Sequence, residues 1–313
     1  MRLKPGLQII PLRDGKIQVG QSAPVGCVLD ELSIPQRNYM CRLGRAPAGY
    51  LDLTGMARQE FEELWKLLFD AGLTCSAKDI GEGNADYDWW VRLGGHKDQV
   101  KARSEKHVRV QGLAPLGMQI FRNLRSAGFE RTVPVDARPV RPADVGPVYS
   151  VAELGQSRQL VAGSHLAGRS RKKTDLVVLV DSPANDPATC LSLVSEDIPH
   201  LLVTVTDTTV DVGPFVIPGR TACYRCVNLR RTALNSYWPD ALAHLLYGRE
   251  NQVESILLQN AAAFVARQVS DWSAGKPPET ANSVWSLSAQ SSVPTMQRFG
   301  LYPGCGCHGF IDP

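Results

Sequence analysis

The chain has little of what marks membrane, disordered or nucleic-acid-binding proteins. No apolar run among its 313 residues approaches the roughly 18 residues that a membrane-spanning helix needs. A net charge of only +3 gives no reason to expect nucleic acid as a partner. A 43% hydrophobic share excludes wholesale disorder, and the length predicts about two domains. The polar start Met1–Gly6 does not resemble a secretory signal, so we expect a cytoplasmic location.

Cysteine is sparse too, but four of the eight cysteines stand in two close pairs. Cys223 and Cys226 form a Cys-x-x-Cys motif, and Cys305 and Cys307 form a Cys-x-Cys motif. Two close pairs far apart in sequence are typical of a tetrahedral four-thiolate zinc site, in which each pair supplies two ligands from one loop. We predict a structural rather than a catalytic zinc, because four sulfurs leave no open coordination position.

A redox pair and two disulfides are the alternative interpretations of these cysteines. A redox Cys-x-x-Cys normally opens a helix after a strand and needs no second pair. Disulfides require an oxidising compartment, which nothing in the sequence indicates. His308, beside the second pair, is a less favoured substitute ligand. The single Cys190 lies in an apolar helical segment, where a cysteine is more often part of the core than a nucleophile.

Residues 1–80 predict a small domain in which short strands precede short helices. Lys4–Leu12 and Lys16–Val19 flank an Arg-Asp-Gly turn and predict a hairpin, and Val25–Leu29 predicts a third strand. Ser33 predicts the start of one helix, and apolar residues at helical spacing predict another that ends at Gly72. This order matches a winged helix-turn-helix module. Residues 81–100 are expected to be a linker.

Such modules often bind DNA, but the candidate recognition helix Gln59–Lys66 is acidic and would repel phosphates. An extended peptide can instead add to an exposed strand edge and lie against a helix. The segments Lys4–Gly20 and Gln59–Leu73 resemble the PqqD-like leader-peptide recognition element of peptide-modifying gene clusters. The alternative is a generic small domain that only packs against the rest of the chain.

Residues 101–313 predict an α/β domain of Rossmann-like type with a mostly parallel sheet. His107–Gly112 predicts a strand that enters a glycine turn and a helix, and Arg131–Asp136 predicts a strand that ends in an acid. In a nucleotide-binding crossover the start of that helix faces phosphate and the acid faces ribose. The apolar runs Asp175–Asp181 and His200–Thr206 predict further buried parallel strands.

The nucleotide fingerprint in this domain is incomplete. Ala114 stands where the pattern requires its middle glycine, and Pro115 follows it. The Cβ of Ala114 obstructs the close approach of backbone to phosphate, and the proline removes one N–H donor. A working nucleotide site and a Rossmann unit that serves only packing therefore both stay open.

The glycine turn, the strand-end acids and the motifs TACYRC and YPGCGC together resemble the ThiF/MoeB-type adenylyltransferases, a superfamily that includes the ubiquitin-activating enzymes. The resemblance covers residues from about 106 onward. It implies a Rossmann-like fold, a four-cysteine structural zinc and, in many members, a homodimer. It also implies ATP binding, with Gly112 and Gly117 in the glycine turn, Asp136 at the ribose, and Asp181 near ATP and its metal.

The chain departs from this family at two cationic positions. The family has an Asn-Arg where this chain has Ala143–Tyr149 without arginine, and Gln156 replaces a lysine of the family's Asp-Ile-Gly-Lys-x-Lys context. Preplaced positive groups stabilise the transition state of adenylyl transfer, and loss of one such donor can cost about a hundredfold in rate. We therefore expect ATP-dependent adenylylation to be impaired or absent, and we assign no catalytic residue.

A PqqD-like N-terminal domain followed by a degenerate ThiF-like domain resembles the cyclodehydratase partner proteins of thiazole/oxazole-modified ribosomal peptide (microcin) biosynthesis. That resemblance implies a protein that binds the leader of a precursor peptide and presents it to a separate YcaO-type enzyme. Two alternatives stay open. One is a working adenylyltransferase that activates the C-terminal carboxylate of a peptide or carrier protein, and the other is a Rossmann oxidoreductase or regulatory protein.

Overall fold

The computed structural model describes residues 1–21, 26–44, 55–79, 85–163 and 173–307. The chain divides into two compact units, Met1–Lys101 and Ala102–Pro313. Within the described ranges, no helix has both the length and the apolar character needed to cross a membrane. His308 lies outside the described residues.

The first unit contains a three-stranded antiparallel sheet in the order β2-β3-β4 and a two-stranded pair, β1 with β5. Ile9 pairs with Val19, so β2 and β3 form the predicted hairpin. The strands and helices of this unit are β1 (Arg2–Leu3), β2 (Ile9–Pro11), β3 (Ile17–Val19), β4 (Cys27–Leu29), α1 (Ile34–Leu43), α2 (Arg58–Asp70), β5 (Thr74–Cys75), α3 (Ala85–Arg92) and α4 (Lys97–Glu105), whose last residues lie in the second unit.

Local sequence signals explain where these helices begin. The Ser33 hydroxyl accepts a hydrogen bond from the Gln36 N–H, and the Gln36 side chain accepts one from the Ser33 N–H, which forms a capping box at the start of α1. Apolar residues of α2 pack against the sheet in one core cluster. Within the stretch 81–100, where a linker was expected, the described residues form α3 and the first part of α4. Trp90 and Val91 bury apolar side chains there.

The second unit is built on a seven-stranded sheet in the order β12-β11-β10-β9-β8-β6-β7. Its strands are β6 (Val108–Gln111), β7 (Thr132–Val135), β8 (Leu176–Asp181), β9 (His200–Val205), β10 (Thr209–Val216), β11 (Ser283–Ser288) and β12 (Ser291–Arg298). Its helices are α5 (Pro115–Ser126), α6 (Arg158–Val161), α7 (Pro187–Ser195), α8 (Tyr224–Leu234), α9 (Trp238–Leu245) and α10 (Ser255–Ser273).

The sheet is mixed, whereas the sequence predicted a mostly parallel one. Strands β7, β6, β8 and β9 are parallel, but β10, β11 and β12 are each antiparallel to the preceding strand. Short connections explain the direction of β10 and of β12, whereas β11 is antiparallel to β10 although α8, α9 and α10 lie between them in the chain. Thr206 N–H donates to the Thr209 carbonyl between β9 and β10, and only two residues separate β11 from β12. A parallel partner would require a long crossover.

Both faces of the central strands are covered. Alternate residues of β8 enter two different core clusters, Val178 on the side of α5 and α10 and Val177 on the side of α7. Burial on both faces explains why β8 is a continuous apolar run. The chain passes from β6 to β7 on one side and to β8 on the other, so the order of the strands reverses between β6 and β8. In open α/β sheets, ligands bind beyond the carboxyl ends of the strands at such a switch point.

Candidate functional site

The glycine turn after β6 is tightly packed against the neighbouring strand. Gly112 has a φ of +89°, and a Cβ there would lie 2.0 Å from the carbonyl oxygen of Val180. A Cβ on Gly117, in the first turn of α5, would lie 1.9 Å from the carbonyl oxygen of Gly112. Both glycines are therefore required by the packing of the turn, whether or not a ligand binds there.

The start of α5 lacks two features of a phosphate-binding turn. Ala114 is the N-cap residue and makes no side-chain capping bond, and Pro115 occupies the first helical position without an N–H. Both residues line a small space that Asp181 and Glu250 also border. Its volume of about 20 Å³ is room for about one water molecule.

Asp136, the predicted ribose acid, follows β7, and its side chain is only 2% exposed. Its Oδ1 accepts from the Arg138 N–H and Nε at 3.0 and 2.8 Å. Its Oδ2 accepts from the Leu113 N–H at 2.8 Å, Arg138 Nη2 at 3.0 Å and Arg158 Nη1 at 3.2 Å. Burial by itself raises the pKa of Asp136, but the hydrogen bonds from Arg138 and Leu113 outweigh it and lower the pKa overall. The carboxylate is thus saturated by donors of the protein itself.

Arg158 is the centre of a charged network beside Asp136. Its side chain is fully buried, and Nε and Nη2 both donate to Asp144 Oδ2, at 3.0 and 2.6 Å. Nη2 also lies 3.1 Å from Glu250 Oε2. We call the whole network the arginine cluster. It consists of three guanidinium groups and three carboxylates, from Arg138, Arg141, Arg158, Asp136, Asp144 and Glu250.

Asp181 ends β8 on the opposite side of the switch point. Burial raises the pKa of its carboxyl group, against a hydrogen bond from Asn185 Nδ2 at 3.5 Å that acts in the opposite direction. Asp181 and the exposed parts of Arg138 and Arg141 line a cleft of about 710 Å³. The structure therefore brings the turn around Ala114, Asp136 and Asp181 to one edge of the sheet, as the nucleotide-binding pattern requires.

The cations of this cleft come from positions that the sequence interpretation missed. Gln156, at the expected lysine position, points its amide at the Ala152 carbonyl 3.0 Å away and is exposed. The two family positions still carry no cation, but Arg138 and Arg141 of the arginine cluster bring guanidinium groups to the cleft from other positions. Each guanidinium group of the cluster is paired with carboxylates of the chain. The Arg-x-x-Arg that follows Asp136 was a usable signal for these two arginines, whereas no local signal pointed to Glu250.

The four paired cysteines lie together on the other side of the second unit. Their sulfur atoms all lie within 4.8 Å of one another, with Cys223 Sγ 3.4 Å from Cys305 Sγ and Cys226 Sγ 3.5 Å from Cys307 Sγ. Tetrahedral zinc with Zn–S bonds of about 2.3 Å requires sulfurs about 3.8 Å apart. The donor set and spacing fit a tetrahedral metal ion. None of the eight cysteines forms a disulfide.

The cysteine cluster holds its thiols in unequal surroundings, because the pKa of Cys226 is lowered whereas a hydrogen bond to Cys226 raises the pKa of Cys223 and burial raises that of Cys307. Cys223 is the N-cap residue of α8, and the Tyr302 N–H lies 3.4 Å from Cys226 Sγ. A hydrogen bond from the Cys223 thiol, together with that N–H, lowers the pKa of Cys226. Apolar side chains enclose the cluster. Cys190 lies apart in the core against α8, and burial raises the pKa of its thiol, so it has the packing role that the sequence predicted.

The mixed sheet, its switch-point cleft and the strand order define a Rossmann-like fold. Solved structures share this fold over nearly the whole chain. Crystal structures of E. coli MccB superpose with TM-scores of 0.72 with AMPCPP and MccA bound, and 0.71 alone. The first shares 14% identity and covers 98% of this chain and 99% of MccB, and the second shares 15% and covers 100% and 97%.

A crystal structure of PaaA is similar with a TM-score of 0.64 and 14% identity, over 95% of this chain and 99% of PaaA. Identities this low establish the fold and nothing more. No family model matches the sequence. The search of curated proteins found no match either.

Proposed function

We propose that the chain is a leader-peptide-binding protein of ribosomal peptide modification, with a ThiF-like body whose nucleotide site has degenerated. In this role it binds the leader of a precursor peptide and presents the peptide to a separate YcaO-type cyclodehydratase, which forms thiazolines and oxazolines. The chain itself then needs no catalytic residue. Gly112, Ala114, Gly117, Asp136 and Asp181 are remnants of the nucleotide site.

The main support for this proposal is that both carboxylate oxygens of Asp136 already accept hydrogen bonds from donors of the protein itself. A ribose hydroxyl could bind it only by displacing Arg138 or Arg158, both of which are paired with a nearly buried acid. Breaking one side of a buried ion pair costs about 3–5 kcal/mol because it leaves an uncompensated charge. Ala114 and Pro115 weaken the phosphate end of the same site. The residues present therefore do not fit ATP, and we derive no step through it.

The metal in this proposal is a structural zinc ion held by Cys223, Cys226, Cys305 and Cys307. Zinc with four thiolates has no open coordination position and supplies folding energy rather than catalysis. Its role is to attach the segment after β12 to the start of α8.

The peptide-binding surface that we propose is the edge of the N-terminal sheet at β4. Strand β4 ends the order β2-β3-β4, so among the residues that the structure describes one side of its backbone has no partner strand in that sheet. Val28 at its centre is 52% exposed. Main-chain hydrogen bonds to such an edge provide affinity, and contacts with exposed side chains provide specificity. Crystal structures of MccB in complex with MccA, one of them N-formylated, support a polypeptide ligand for this fold.

The test is the binding of a fluorescent leader peptide to the full-length chain. Val28→Asp places a charge at the proposed edge and is expected to weaken binding at least about tenfold, since a buried charge opposes strand addition. Val293→Asp is the matched control, because Val293 is an exposed valine on β12, an edge strand of the seven-stranded sheet. Equal effects of the two variants, or loss only with Val293→Asp, would refute the assignment.

A working adenylyltransferase that acts on a peptide or carrier-protein carboxylate is the second candidate. Its support is the full-length likeness to MccB, which has been crystallised with ATP and with AMPCPP. ATP–pyrophosphate exchange in the presence of candidate peptides separates the two functions. We expect no exchange. Clear exchange that disappears in Asp181→Ala would establish the second candidate instead of the first.

A further inference from the structure

The loop between α9 and α10 lies over the switch-point cleft and is tied to it at two places. We call this loop, Leu246–Glu254, the strap. The Asn251 N–H donates to Ser182 Oγ at 2.8 Å, in the connection that follows β8. The backbone at Gly248 passes so close to Pro183 that a Cβ would lie 2.8 Å from its ring. The strap is therefore anchored to the side of the cleft that carries Asp181.

The second attachment is Glu250, whose carboxylate is held by all three guanidinium groups of the arginine cluster. Oε1 accepts from Arg138 Nη1 at 2.6 Å and from Arg158 Nη1 at 3.4 Å. Oε2 accepts from Arg158 Nη2 at 3.1 Å and from Arg141 Nη2. The side chain of Glu250 is only 12% exposed, although the strap around it lies at the surface. Four guanidinium contacts to one carboxylate form a complete oxyanion site.

Charge counting shows what Glu250 does for this site. Asp136 and Asp144 balance two of the three arginines, and Glu250 balances the third. Without Glu250 the cluster would carry an uncompensated positive charge beside a cleft of about 710 Å³. The exposed Arg249 and the outer parts of Arg138 and Arg141 line that cleft, together with the carboxylates of Asp181 and Asp186. Guanidinium forks bind phosphate oxygens with the same geometry as carboxylate oxygens.

We propose that Glu250 is an internal occupant of an oxyanion site, so that the strap blocks the cleft against a phosphate-bearing ligand until Glu250 is displaced. This inference rests on the proposed function, because it gives a reason for the closed nucleotide site that the proposed function assumes. It adds that the closure is a contact that can be released, and that the arginines behind the strap keep their capacity to bind an oxyanion.

The experiment is calorimetric titration of inorganic pyrophosphate into the full-length chain. Glu250→Gln removes the internal charge and is expected to bind pyrophosphate at least about tenfold more tightly than wild type. Glu254→Gln is the matched control, because Glu254 lies in the same strap but accepts only from the N–H groups of Ile256 and Leu257. It should bind pyrophosphate as wild type does. The double variant Glu250→Gln/Arg141→Gln should lose this increase in pyrophosphate affinity, since it lacks one guanidinium group of the site.

Glu250→Asp keeps the test decisive if the glutamine variant does not fold. It retains the charge but shortens the side chain, so a smaller gain in pyrophosphate binding is expected. Variants that bind no more tightly than wild type would overturn the strap proposal while leaving the closed nucleotide site intact. Tight binding of pyrophosphate by the wild-type chain would instead contradict the closed site itself.

Discussion

At the level of single residues, the glycine turn after β6 shows how one fingerprint position can serve packing alone. Gly112 and Gly128 have almost the same φ, +89° and +92°. A Cβ at Gly112 would meet the Val180 carbonyl at 2.0 Å, whereas a Cβ at Gly128 would meet nothing within 4 Å. The two positions therefore separate the cost of a left-handed backbone from the cost of a steric clash.

We predict that Gly112→Ala lowers the free energy of unfolding by about 4 kcal/mol and Gly128→Ala by about 1–2 kcal/mol. Both alanines are strained at a positive φ, but only the first must also push β8 away from the turn. Urea denaturation of the two variants and wild type measures the difference. Similar losses in both variants would show that the turn tolerates a Cβ, and the packing role of Gly112 would then be wrong.

Between elements, the arginine cluster joins segments that are distant in sequence. Asp136 follows β7, Arg158 begins α6, and Glu250 lies between α9 and α10. Their side chains form one neutral network because each buried charge has a partner of opposite sign. The same network occupies Asp136, the acid that the sequence predicted at the ribose, so in the function that we propose stability and closure of the site depend on the same contacts.

We predict that Arg158→Met lowers the free energy of unfolding by about 3–5 kcal/mol, because Asp144 would remain buried without its main partner. Arg267→Gln is the control. Arg267 is 56% exposed and pairs only with Asp271 four residues away on α10, and its loss should change stability by no more than about 0.5 kcal/mol. Urea denaturation at neutral pH measures both. A loss of less than about 1 kcal/mol for Arg158→Met would mean that the cluster adapts to the missing charge.

Across the whole molecule, the cysteine cluster connects two parts of the second unit that are far apart in sequence. Cys223 and Cys226 lie at the start of α8, and Cys305 and Cys307 follow the last strand of the sheet. A metal ion at this position would hold the end of the described chain to its body. Metal binding there would therefore contribute directly to the free energy of folding.

We predict about one zinc ion per chain by elemental analysis, and a melting temperature that falls when a strong chelator removes it. Cys223→Ser should lose the metal and show the lower melting temperature without chelator. Cys27→Ser is the control, since Cys27 lies on β4 in the other unit, and its zinc content should be unchanged. A metal-free protein with these cysteines joined as disulfides would contradict the assignment.

Local sequence patterns were sufficient for most elements and for the cysteine cluster. The capping signal at Ser33, the hairpin of β2 and β3, and the apolar run of β8 all depend on neighbouring residues, and the structure places them as predicted. The paired cysteines were recognisable because ligand spacing within each pair is itself local. The antiparallel directions of β10 and β12 were missed because turn length rather than strand composition decided them.

What only the tertiary structure decided is the state of the cleft. Gly112, Ala114, Asp136 and Asp181 indicated a nucleotide site from sequence alone, and the fold does bring them to one edge of the sheet. Whether Asp136 is free to accept a ligand depends on Arg138 and on Arg158, and Arg158 is in turn paired with Glu250 in the distant loop between α9 and α10. Pairing of buried charges over such separations leaves no periodic pattern in a sequence. It follows instead from the cost of burying each of these charges without a partner.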